Sequence, residues 1–259
     1  MITYINIFYL ISAVCFILGI KKLSHPKTAR SGNSISAIGM LIAIIAVLYQ
    51  EFVKPGHMDW SIIFIGVLIG TIIGMIAAIK VEMTQMPQLV AIFNGFGGGA
   101  SAFIASSEFL SKTTSDPFTI STIMFSVIIG TLTFTGSFIA FGKLQGLVSS
   151  KPITYPAQQL LNAIIVIGLI GLSILLVQNG NSLTGAGNYN YFYFILALSA
   201  LIGITLTIPI GGADMPVVIS LLNSYSGIAA AGTGFVLMNN ALIISGALVS
   251  IDAFICSLK

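Results

Sequence analysis

Gly211 to Gly227 reads GGADMPVVISLLNSYSG. Two glycines and a lone acid open the stretch, an apolar run follows, and Asn223, Ser224, Tyr225 and Ser226 interrupt it. In a water-soluble protein four adjacent polar side chains are ordinary. Inside a bilayer each one needs a hydrogen-bond partner or a function, because hydrocarbon offers none. Which solvent surrounds this stretch decides the fold.

Composition answers that question. The chain is 56% hydrophobic and 7% charged, against roughly 25% charged residues in soluble domains. A spanning helix needs about 20 mostly apolar residues to cross a core about 30 Å thick. Nine segments qualify, at about 2–20, 34–50, 60–79, 86–107, 118–142, 157–177, 190–209, 214–236 and 239–257. The runs are too long and too continuous for barrel strands, which alternate over about ten residues. The expectation is an all-α, polytopic bundle, with residues 1–259 forming a single transmembrane domain. The first segment lacks a basic leader and a cleavage site, so it reads as a retained span. Cys15 and Cys256 both fall in apolar runs, which argues against a disulfide framework or a metal site.

Loop charge sets the expected orientation, since lysine and arginine collect on the cytoplasmic side. With the N-terminus outside, the inside segments carry Lys21, Lys22, Lys27, Arg30, Lys80, Lys143, Lys151 and Lys259, and the outside ones only Lys54 and Lys112. That places the C-terminus inside. The longest connection, about 178–189 (QNGNSLTGAGNY), is a Gly/Asn/Ser-rich external loop, and no soluble domain fits between the spans. NGFGGGAS, Asn94 to Ser101, resembles a phosphate loop, but it lies inside a span, where glycines permit close helix packing. No internal repeat is evident.

Depth makes two amides interesting. At 1.5 Å per residue, Asn94 lies roughly 12 Å into its span and Asn223 roughly 13 Å. Both therefore approach mid-membrane and can share one layer. The fifth span adds GTLTFTGS, in which Thr131 and Thr135 share one face and Thr133 and Ser137 another. Such hydroxyls either bond to helix carbonyls as packing glue or line a wet pathway. Asp214 stands where a helix begins and can cap it. Glu82 lies at the inside end of the third and fourth spans, beside Lys80, and Asp252 sits deeper in the ninth span. His25 and His57 are in loops, so no group that changes charge occupies the mid-membrane layer. Proton conduction would need water or another polypeptide to supply one.

GGADMPVVISLLNSYSG, VEMTQMPQLVAIFNGFGGGASA (Val81–Ala102), FTGSFIAFGKLQGLVSSKP (Phe134–Pro152) and SGNSISAIGM (Ser31–Met40) resemble the membrane part of the beta subunit of proton-translocating NAD(P) transhydrogenase. The similarity runs over nearly the whole chain. It implies nine spans, an outside N-terminus and a role in an enzyme that moves hydride from NADH to NADP⁺ while passing protons inward. It implies that Asn94 lies on the proton path, that Asn223 is the asparagine of the family's LLNSYSG helix, and that Asp214 is the acid of its GADMP motif, near the face that meets the NADP(H) domain. The expected roles are Asn94 and Asn223 as water-ordering amides on the proton pathway, Thr135 and Ser137 as lining groups, and Asp214 and Glu82 as coupling residues at the cytoplasmic mouth. The resemblance also implies an alpha subunit that binds NAD(H), in which a helix histidine titrates where the beta chain has Asn at position 94. A dimer of alpha–beta units in a bacterial inner membrane completes the implied assembly.

After Gly246-Ala247-Leu248-Val249 the family pattern would run on into an NADP(H)-binding domain, whereas this chain reads SIDAFICSLK. The expectation is that no catalytic, cofactor-binding or metal residue is present. The NADP(H) domain would then be supplied in trans or lost, as in a truncated product, a frameshift remnant or a split gene. A standalone transporter or channel for a small solute, and a non-functional fragment, are the competing readings. No motif for nucleic acid is present.

Overall fold

The computed structural model describes residues 2–53, 59–111, 116–179 and 186–257. His57, Lys54, Lys112, Lys259 and residues 180–185 of the 178–189 connection lie outside the described residues. Among the described residues there are nine α-helices and no strand. They are α1 (Ile2–Leu23), α2 (Pro26–Val53), α3 (Trp60–Lys80), α4 (Met86–Ser111), α5 (Pro117–Leu144), α6 (Gln158–Gln178), α7 (Ala186–Thr207), α8 (Met215–Val236) and α9 (Asn240–Ser257). Eight are long and apolar enough to cross a membrane, and the ninth has a shorter apolar stretch, Asn240–Ile255. The architecture is the expected all-helical, multi-pass one. Most boundaries fall within a few residues of the expected spans. The exception is α2, which starts eight residues before the expected 34. Pro26 opens it, because proline needs no N–H donor at a first helical position, and its basic first turns extend beyond the apolar run.

The helices fall into two compact units, Met1–Leu89 and Val90–Lys259. In the first, α1 and α2 form an antiparallel hairpin. Ser12 Oγ donates to the Gly39 carbonyl at 2.8 Å and Tyr9 Oη to Gln50 Oε1 at 2.8 Å. Helix α3 buries no residue.

The second unit is built around α5. Its N-cap is Asp116, whose carboxylate accepts from Thr119 N–H at 3.0 Å and from Thr119 Oγ1 at 2.6 Å. Its C-terminus closes with Gly146 at φ 74°, a left-handed position where glycine carries no Cβ penalty. One end of this unit holds a closely packed apolar core, in which Phe109 of α4 stacks on Phe192 of α7 at 4.5 Å, above Ile120 and Ile123 of α5. Outward faces are equally apolar: Leu160, Ile167 and Ile170 of α6 are all exposed. Such a continuous apolar surface is incompatible with water and suited to lipid.

Helix crossings rest on paired glycines. A Cβ on Gly130 would stand 2.6 Å from the Gly98 carbonyl, and one on Gly246 would stand 2.6 Å from the Gly227 carbonyl. The α4–α5 and α8–α9 hairpins therefore cross backbone to backbone, as small residues allow in lipid.

Those two hairpins reveal a repeat that sequence reading alone passed over. Met86–Gly98 is MPQLVAIFNGFGG and Met215–Gly227 is MPVVISLLNSYSG, with Met, Pro, Asn and the crossing Gly in register. Each segment follows a single 3-10 turn, Met83–Gln85 or Gly212–Asp214. Asn94 and Asn223 are thus equivalent positions on two parallel helices.

Candidate functional site: a buried amide and hydroxyl layer

Asn94 is carried into the interior by α4, and its side chain is buried. Gly95 and Gly98, on the same face, let α5 approach closely enough for the amide to reach it. Asn94 Nδ2 donates to Ser137 Oγ of α5 at 2.8 Å. On the other side, Ser226 Oγ of α8 donates to Asn94 Oδ1 at 2.7 Å and to the Asn223 carbonyl at 2.8 Å. Three helices meet in one polar layer. An amide has two donors and two acceptor lone pairs, so Asn94 keeps one of each for a further partner such as water.

The expected residues separate at this point. Asn94 and Ser137 are brought together. Asn223 contributes its main-chain carbonyl to the layer. Its half-buried side-chain amide makes no hydrogen bond among the described residues. Its neighbour Ser224 turns to α9 and donates to the Ser250 carbonyl at 2.9 Å. Thr135 faces away from Asn94: its Oγ1 donates to the Ala200 carbonyl of α7 at 2.9 Å and back to Thr131 O at 3.2 Å. With Thr131 it lines an apolar groove of about 620 Å³ between α4, α5 and α7. The two faces expected for GTLTFTGS are real, and they serve different helices. Thr133, on the Ser137 face, is fully buried with its hydroxyl unpartnered among the described residues.

A second hydroxyl cluster, which sequence reading missed, lies further along the same seam. Ser126 Oγ of α5 is 2.6 Å from Thr233 Oγ1 of α8 and donates to the Ala229 carbonyl at 2.8 Å, while Thr233 Oγ1 donates to the Ser101 carbonyl of α4 at 3.3 Å. The signal was present: Ser101 is seven residues beyond Asn94, and Thr233 seven beyond Ser226, which is two turns on one helix face. In the opposite direction the layer is closed by Ala91, Ala140, Met215 and Ile219, a buried apolar cluster.

Beyond that plug is the end of the unit bearing Lys143 and Lys151. Asp214 ends the 3-10 turn before α8, is exposed, and makes no side-chain cap hydrogen bond. The capping that its position allowed is not made. Glu82 belongs to the first unit, where Thr84 Oγ1 donates to its Oε2 at 3.5 Å. Lys143, expected to be a loop charge, is buried instead. Chemically, the layer is a neutral relay that can order water and pass hydrogen bonds but cannot itself ionise.

Residues 5–258 match the family model described as NAD(P) transhydrogenase beta subunit. Two proteins named NAD(P) transhydrogenase subunit beta, from Rhodospirillum rubrum and from one of its strains, are each 40% identical over 257 residues. Those alignments cover 96% of this chain and 53% of each relative, so the chain spans about half their length. With the family model matching nearly the whole chain, the chain belongs to the NAD(P) transhydrogenase beta subunit family.

Proposed function

We propose that this chain is the proton-passing membrane component of an NAD(P) transhydrogenase. Hydride moves from NADH to NADP⁺ on soluble domains, which bind NAD(H) and NADP(H), while protons cross through α4, α5 and α8. The observation that carries this reading is the Asn94–Ser137–Ser226 layer, a buried polar bridge among three apolar helices. Hydrocarbon makes such a bridge costly to keep without use or compensation.

In this reading Asn94 and Ser137 order water at the centre. Asn223, with an unbonded amide one turn from Ser226, receives it. Thr135 takes a lesser part at the groove beside α7. Asp214 and Glu82 act at the lysine-bearing side, taken as cytoplasmic by the loop-charge rule, and couple passage to the nucleotide domains. An amide cannot titrate, so the alpha subunit supplies the ionising group. The assembly is a dimer of alpha–beta units in a bacterial inner membrane.

The test uses the assembled complex in proteoliposomes, with proton uptake and hydride transfer measured together. Asn94→Leu and Asn223→Leu are each expected to lower proton uptake at least tenfold. Uptake at the unsubstituted rate in both variants would remove the amides from the pathway.

A further inference from the structure

The proposed pathway leaves one unusual group unused. Lys143 is 1% exposed, as buried as the core aliphatics, yet its side chain ends in an ammonium with three N–H donors and no acceptor. All three donors find main-chain oxygens: Ile208 O at 2.5 Å, Ile210 O at 2.8 Å and Lys151 O at 3.3 Å. No carboxylate among the described residues pairs with it.

The positions of those carbonyls matter. Helix α7 ends at Thr207, and a helix C-terminus leaves carbonyls unsatisfied at the negative end of its dipole. Ile208 and Ile210 follow directly, in the link that leads through Gly211 and Gly212 to Asp214 and α8. A lysine on α5 therefore caps the end of α7 from a different helix. The same link is laced to the loop after α5. Gly212 N–H donates to Ser150 O at 2.8 Å, Ser150 Oγ donates to Lys143 O at 3.2 Å, and Ile153 N–H donates to Ile208 O at 3.4 Å. A Cβ on Gly212 would stand 3.1 Å from Ser150 Cβ, so the two segments are pressed together.

We propose that Lys143 is a positioning residue that clamps the Ile208–Asp214 link and thereby sets where Asp214 stands at the entrance to α8. The inference rests on the reading of Asp214 as a coupling residue. The clamp depends on the ammonium and not on bulk. A methionine fills the same channel but leaves the Ile210 and Lys151 carbonyls unpartnered and Ile208 O with only the long bond from Ile153 N–H, and these carbonyls then draw in water and free the link. Arginine keeps the charge, but its planar fork cannot converge three N–H groups on one carbonyl cage.

The test places a spin label at position 213 through Ala213→Cys, an exposed site beside Asp214, in a Cys15→Ser, Cys256→Ser background. A second label, through Ser121→Cys at the far end of α5, is the control. In the assembled complex in proteoliposomes, Lys143→Met is expected to shorten the correlation time at position 213 at least twofold and leave position 121 unchanged. Protons moved per hydride are expected to fall severalfold while hydride transfer continues. Unchanged mobility at position 213 overturns the clamp. Mobility gained with an unchanged proton-to-hydride ratio keeps the clamp and refutes the coupling role of Asp214. If Lys143→Met does not reach the membrane, Lys143→Arg is read by the same two outcomes at position 213.

Discussion

Asn94 and Asn223 are equivalent in sequence and unequal in bonding, and that difference predicts unequal effects on stability. Asn94→Ala removes one bond to Ser137 at 2.8 Å and one from Ser226 at 2.7 Å. Side-chain bonds between membrane helices average about 0.6 kcal/mol and reach about 1.7 kcal/mol. Ser226 falls back on the Asn223 carbonyl, at 2.8 Å, so the two losses together come to about 1–2 kcal/mol, within the usual range for buried neutral pairs. Asn223→Ala removes no side-chain bond and is expected to cost less than about 0.5 kcal/mol. The assay is equilibrium unfolding of the purified chain from mild detergent into SDS, followed by far-UV circular dichroism. A double-mutant cycle of Asn94→Ala with Ser226→Ala should return a coupling of about 0.5–1.5 kcal/mol. If Asn223→Ala destabilises as much as Asn94→Ala, or the cycle returns no coupling, the layer does not hold these helices together.

Two further outcomes follow from packing and charge. Gly246→Ala places a Cβ 2.5 Å from Ala231 N and 2.6 Å from Gly227 O, so α9 must move off α8, costing about 1–3 kcal/mol as overpacked contacts do. Gly171→Ala meets nothing within 4 Å and should be neutral or stabilising by up to about 1 kcal/mol through helix propensity; the same unfolding assay compares the two. The Asp116 carboxyl is held below its ordinary 3.8 by the side-chain and main-chain hydrogen bonds from Thr119. A carboxyl depressed in the folded state stabilises fully above its unfolded value, and that contribution disappears as pH falls through the lower folded value. Asp116→Ala should therefore lower the thermal midpoint at neutral pH, with the gap to the unsubstituted chain closing below about pH 3.8.

The sequence by itself determined the solvent, the number of helices and their approximate ends. These follow from composition and run length, which are local and additive. It also set Asn94 and Asn223 at nearly equal expected heights along their helices, because rise per residue converts position into height. It identified glycine-rich NGFGGGAS as a packing surface and split the fifth-span hydroxyls into two faces. Azimuth is a different matter. Which way each face points depends on neighbours far away in sequence, and only tertiary structure decided that Ser137 meets Asn94 while Thr135 meets Ala200. It also decided that the α8 partner of Asn94 is Ser226 and not the amide of Asn223. The repeat of MPQLVAIFNGFGG in MPVVISLLNSYSG was readable in the letters, but it stood out only when both segments proved to start after a 3-10 turn and to cross at the same glycine. Lys143 shows the limit most clearly. From sequence it counts as a charge at a helix end, free to reach water. In the fold, the Ile208 and Ile210 carbonyls just past the end of α7 and the Lys151 carbonyl in the loop after α5 supply three acceptors at one point, and the ammonium goes inward to meet them. GGADMPVVISLLNSYSG is thus a membrane helix by composition alone. Its roles are divided by packing: Ser224 to α9, Ser226 to the polar layer, and the link before Asp214 to a buried lysine.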